Sequence, residues 1–72
     1  MQQTNTAGEL VSWVKGKNFG FFHVQGAEAD IFVHGSEFES ADLKVRVGDS
    51  YQFDVVPGQQ GRQKAINLRP IL

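Results

Sequence analysis

From Glu9 onward, apolar and polar positions alternate in short runs separated by turn-forming residues. Residues 9 to 14, ELVSWV, are rich in β-branched and aromatic types and stop at Lys15-Gly16-Lys17-Asn18, where glycine and asparagine supply a tight turn. In residues 19 to 24, FGFFHV, a two-residue period puts Phe19, Phe21 and His23 on one face and Gly20, Phe22 and Val24 on the other. A second break at Gln25-Gly26-Ala27 precedes IFVH, where Ile31 and Val33 point one way and Phe32 and His34 the other. Ser36-Glu37-Phe38-Glu39 has the spacing of a capping box and predicts one short helical turn, with Phe38 at the edge of the core beneath it. A charged connection over residues 39 to 47 leads to a turn at Gly48-Asp49. Tyr51, Phe53 and Val55 then alternate with Gln52 and Asp54 as a fourth strand that ends at Pro57-Gly58. After the polar loop PGQQGRQK, residues 65 to 68 make a fifth strand before Arg69-Pro70.

Five short strands in 72 residues favour an all-β fold closed into a barrel, because closure removes the exposed edges of so small a sheet. The strand pattern fits an oligonucleotide-binding barrel best and an SH3-like barrel second. We read residues 8 to 70 as one domain and residues 1 to 7, which are polar, as a loose tail. Ile31, Val33, Phe22 and Val24 are expected inside.

Composition narrows this further. With no cysteine, the small core has no disulfide or thiolate metal site to supplement it. Eight glycines and 11% aromatic residues suit short strands and tight turns better than a helical bundle. Seven Lys+Arg against eight Asp+Glu give a net charge of −1, which argues against a partner gripped by bulk positive charge such as long duplex DNA. Nucleic-acid contact then requires a local patch. The N-terminal stretch lacks the charged and apolar regions of a signal peptide, and no apolar run reaches the roughly 18 residues of a membrane span. A soluble, cytoplasmic chain is expected.

An inward-facing Phe22, Ile31 and Val33 leave Phe19, Phe21, Phe32 and His34 outside on neighbouring strands. Exposed aromatics on adjacent strands are costly unless something covers them. Nucleobases suit that role, since stacking on an aromatic side chain is worth ~1–3 kcal/mol per base with little sequence preference. Lys17 stands just before this face, and Arg62 and Lys64 sit in the loop before strand five, where a nucleic-acid strand can pass.

These residues carry a resemblance. Lys17-Asn18-Phe19-Gly20-Phe21-Phe22 resembles the first RNA-binding motif of cold shock domains, usually K-G-F-G-F-I/V, and Ile31-Phe32-Val33-His34 resembles the second, V-F-V-H. The separation of the two motifs is also that of the family, and the likeness runs from about Gly8 to Leu68, ending in Ala65-Ile66-Asn67-Leu68, which is similar to the family's A-x-N-V. The resemblance implies a five-stranded antiparallel Greek-key barrel of the OB type that binds single-stranded RNA or DNA by stacking and acts as an RNA chaperone. Three departures stand out. Asn18 replaces a glycine, Gly35 stands where the family usually has another stacking aromatic, and the 39 to 47 loop lacks an aromatic, with Leu43 nearby. Trp13 admits two registers. A gapless match puts it where the family has a phenylalanine, with Ser12 at the surface tryptophan; a match one residue shorter puts Trp13 itself on the platform. The gapless match needs no deletion, and Trp13 stays a candidate for the platform edge.

Other chemistries fare worse. His23 and His34 have no third ligand at suggestive spacing, so no metal is expected. Ser36 near His34 has no positioned acid, and there is no phosphate loop, so neither catalysis nor a cofactor is expected. Gly58-x-x-Gly61 has the spacing of a KH backbone clamp but not its flanking helices. Expected partners are single-stranded RNA or DNA. The rival is a protein-interaction or self-association module using the same aromatic face. A monomer is expected, against a domain-swapped or face-to-face dimer.

Overall fold

The computed structural model describes residues 3 to 71. Five strands, β1 (Gln3–Val14), β2 (Phe19–His23), β3 (Ile31–His34), β4 (Ser50–Pro57) and β5 (Gln63–Pro70), close into a barrel in the order β1-β2-β3-β5-β4. All neighbours run antiparallel except β3 and β5, which meet in parallel at Phe32 and Lys64. One short helix, α1 (Gly35–Ser40), follows β3 directly.

Strand alternation builds the core. Leu10, Phe22, Ile31, Val33, Tyr51, Phe53, Val55, Ala65 and Leu68 point inward and are buried, and Phe38 of α1 joins them. Phe22 and Phe53 stack at 4.3 Å between ring centroids and 15° between planes, while Phe38 meets Tyr51 edge-on at 5.4 Å. Val24 is half-buried against this cluster, as the strand period requires.

Three irregularities let the strands bend enough to close. Between the pairs Leu10–Phe22 and Ser12–Phe21, β1 advances by two residues and β2 by one, so Val11 is extra. Against β4, extra residues fall between Gln3 and Thr6 of β1 and between Ile66 and Arg69 of β5. Those two segments contain Asn5 at φ 55° and Asn67 at φ 54°, left-handed conformations that asparagine tolerates better than most residues. Asp54 ties both together: its carboxylate accepts from Asn67 Nδ2 at 3.0 Å, Arg69 Nη2 at 3.0 Å and the Asn5 backbone N–H at 3.2 Å. Arg69 in turn donates to the Asn5 side chain at 2.9 Å and to the Asn67 carbonyl at 2.7 Å.

Three sequence expectations are corrected. Strand five is longer than residues 65 to 68: β5 runs Gln63–Pro70, so Lys64, expected in the preceding loop, is a strand residue paired with Phe32 and with Val56. The loose tail does not extend to residue 7: residues 3 to 7 belong to β1 and pair with β4, because closing the barrel needs that partner for β4, while residues 1 and 2 lie outside the described residues. Nor does Ser36 cap the helix. Because β3 enters α1 without a loop, its last residue His34, still extended at φ −91° and ψ 149°, is the N-cap, and Ser36 lies inside the first turn. The long connection after α1 is held to the barrel by Leu10 N–H to the Asp49 carbonyl at 2.9 Å, Gly48 N–H to the Leu10 carbonyl at 2.8 Å and Tyr51 O–H to the Lys44 carbonyl at 3.0 Å.

The hydrogen bond from Asn67, then those from Arg69 and Asn5, hold the Asp54 carboxyl below its ordinary value of 3.8. A carboxyl with a folded pKa below its unfolded one stabilises the fold fully above the unfolded value, and loses that contribution as pH falls through the folded one. Asp54→Asn is therefore expected to lower the urea midpoint at pH 7 and to flatten the fall in midpoint on acidification below about pH 4. Parallel curves for the two proteins would mean that this clasp contributes nothing.

Candidate nucleic-acid interface

The face opposite the core side of β2 and β3 gathers the residues singled out in the sequence. Cross-strand pairing sets Phe19 against His34 and Phe21 against Phe32, all pointing away from the core. The three phenylalanine rings touch one another: Phe19–Phe32 at 5.3 Å, Phe19–Phe21 at 6.0 Å and Phe21–Phe32 at 6.0 Å between centroids. Each is half-buried, so the trio stands as a contiguous apolar surface that is still partly exposed.

The strand order brings cations to this surface. Lys64 is the parallel partner of Phe32, and the Arg62 guanidinium carbon lies 5.6 Å from the Phe32 centroid and 5.9 Å from that of Phe21, within cation–π reach of both. Lys17 is exposed in the β1–β2 turn, two residues before Phe19. Arg62 and Lys64 thus bring positive charge beside the aromatic face of a chain whose total charge is −1. Beside Phe32 the loop between β4 and β5 encloses an open groove of about 480 Å³, lined also by Pro57, Gln59, Gln60, Arg62 and Lys64.

His34 is oriented from behind. Its Nδ1 accepts from the Ser36 backbone N–H at 3.1 Å, with the Ser36 hydroxyl 3.0 Å from the same nitrogen. An Nδ1 that accepts carries no proton, so the neutral ring has its N–H at Nε2. His23 shares the outward direction of Phe21 but is solvent-exposed, with Nδ1 3.5 Å from Asp30. No group of three or more metal-binding side chains exists among the described residues, and no helix among them is long and apolar enough to cross a membrane.

Trp13 is the one predicted site residue not brought to this face. It pairs with Gly20, on the inward side of β2, and its ring meets Phe38 edge-on at 5.4 Å. A side chain on Gly20 would run into the Ser12 carbonyl and the Trp13 ring, so that glycine makes room for the indole. The extra residue at Val11 sets this direction: it turns Ser12 outward beside Phe21 and Trp13 inward, the arrangement of the gapless register. Gln59, Gln60 and Pro57, which line the groove, carry no sequence signal. Only the parallel β3–β5 contact places them next to Phe32.

The departures at Asn18 and Gly35 are physically linked. Asn18 takes the left-handed turn conformation, φ 59°, and its carbonyl accepts from the Gly35 N–H at 2.8 Å. A Cβ on Gly35 would collide with the Asn18 side-chain amide, which already fills the place that a side chain at 35 needs.

A closed five-stranded barrel, with outward aromatics on β2 and β3 and with Arg62 just before β5 and Lys64 within it beside them, has the architecture of the OB type. The profile of the 'Cold-shock' DNA-binding domain family matches residues 8–71. Among curated proteins the chain is similar to cold shock protein CspA of Staphylococcus saprophyticus, 42% identical over 57 residues covering 76% of this chain and 85% of that protein. It is also similar to cold shock-like protein CspB of Yersinia pestis, 34% identical over 67 residues covering 90% and 94%, and to cold shock-like protein CspD of Haemophilus influenzae, 35% identical over 64 residues covering 86% and 88%. The chain belongs to the cold shock domain family, a family of nucleic-acid-binding β-barrels.

If the Asn18 amide is what excludes a side chain at 35, Gly35→Ala will cost more stability in the natural chain than in an Asn18→Gly background. A coupling of about 1 kcal/mol is expected by urea denaturation; additive costs would show the two positions to be independent.

Proposed function

We propose that this protein binds single-stranded RNA or DNA by stacking bases on Phe19, Phe21, Phe32 and His34, with Lys17, Arg62 and Lys64 meeting the phosphates. Holding strands open in this way makes it an RNA chaperone or a regulator of transcription or translation in the cytoplasm, working as a monomer without catalysis. The observation that carries the reading is the trio of outward phenylalanines, packed ring against ring on adjacent strands and flanked by Arg62. Beyond contact with one another and with Arg62, these rings are left partly facing solvent, and bases supply a cover. Trp13, half-buried against Phe38, belongs in this reading to the core. With Gly35 and Ser12 in place of aromatics the stacking surface is short, which predicts weaker binding or a smaller footprint than a family member with a full set of rings.

Anisotropy of a labelled single-stranded pyrimidine oligonucleotide tests the proposal. Phe19→Ala and Phe32→Ala are each expected to weaken binding by ~1–3 kcal/mol, whereas Trp13→Phe should leave it unchanged. Each phosphate neutralised adds about −0.7 to the salt slope on a single strand, so three cations give a shallow slope near −2. A folded protein that binds nothing at low salt overturns the reading. Lys17→Glu separates the rival: it should weaken nucleic-acid binding and leave a mainly apolar protein contact in place.

A further inference from the structure

We infer that the groove between Phe32 and the β4–β5 loop is a base-reading subsite for guanine, with Gln59, Gln60 and Lys64 as its specificity-determining residues. This rests on the proposal that the aromatic face binds single strands, and it refines the roles of Arg62 and Lys64. Where a guanine occupies the groove they meet its acceptor edge in place of a phosphate, so that one position along the strand is read rather than merely stacked.

The groove is built by two features that meet only in the folded chain. Gly58 N–H donates to the Arg62 carbonyl at 2.7 Å, closing the loop into a compact turn, and the Phe32–Lys64 pairing sets that turn beside the platform. Its volume of about 480 Å³ is within the range of small-ligand sites and ample for a purine. Gln60 holds φ 59° and ψ 38°, a left-handed conformation that costs a non-glycine residue strain. Both glutamines are exposed, and neither side-chain amide hydrogen-bonds to another described residue.

The chemistry of the lining selects the base. Arg62 and Lys64 are donors with no acceptor capacity, the glutamine amides offer both, and no carboxylate lines the groove. Guanine alone presents two adjacent acceptors, N7 and O6, on one edge and donors at N1 and N2 on the next. The acceptor pair suits the cations and the donors suit the amide carbonyls, with the ring plane against Phe32. Adenine and cytosine put an amino donor where the cations stand. Uracil and thymine have the keto oxygen but no second acceptor beside it.

The test is an anisotropy series on short all-thymine single strands carrying one guanine or one adenine walked through each position. Guanine is expected to bind on the order of tenfold tighter than adenine at one place in the strand. In Gln60→Gly, which relieves the left-handed strain and so keeps the fold, and in Lys64→Met, that guanine-to-adenine ratio should fall toward one. Equal affinity for guanine and adenine at every position, while the all-thymine strand binds, overturns the subsite but leaves the stacking face standing. A ratio that survives both substitutions also overturns it. Failure of every strand to bind removes the stacking reading and this one with it.

Discussion

The Phe22–Phe53 stack at 4.3 Å is the contact on which the rest of this small barrel depends. Both rings are fully buried, and Phe38 and Tyr51 pack around Phe22 to complete an aromatic interior. Once Phe22 is inside, the two-residue period of β2 leaves Phe19 and Phe21 no choice but the outer face. The aromatic outer surface, the proposed binding face, is thus a by-product of the core. A slip of one residue in β2 would exchange the two sets and expose Phe22 while burying Phe21.

Closure constrains the molecule a second time. A barrel of five short strands must bend sharply, and the extra residues in β1 and β5 supply the bends. The polar clasp around Asp54 stabilises two of those bends by satisfying left-handed asparagines and an arginine at the surface. The third bend, at Val11, has a consequence for function, because it decides that the indole of Trp13 serves the interior and that Ser12 borders the platform. Closure also creates the parallel contact of β3 with β5, which carries Arg62 and Lys64 to rings 30 and more positions earlier in the chain.

The platform is shorter than the family pattern, and the shortening is not a scatter of unrelated losses. Asn18 in the β1–β2 turn and Gly35 at the start of α1 occupy one small volume between them. The aromatic area missing at 35 is accompanied by a cation over Phe21 and Phe32, so the surface is less aromatic and more locally basic than its motif alone conveys.

Much of this was legible in the amino acids themselves. Alternation in FGFFHV and IFVH sorted inner from outer side chains correctly, because the strand period is a property of the backbone that each residue carries locally. Turn residues marked the end of β1 and the bounds of β2 and β4 for the same reason, though not the start of β1 or either end of β5, and the paired motifs pointed to the family. What local pattern could not decide was whatever depends on distant strands meeting. The pairing of residues 3 to 7 with β4, the extra residue at Val11 that turns Trp13 inward, the capping of α1 by His34 instead of Ser36, and the groove of Gln59 and Gln60 beside Phe32 all follow from barrel closure. Closure is a condition on the whole sheet, satisfied by bends and registers that no single segment encodes.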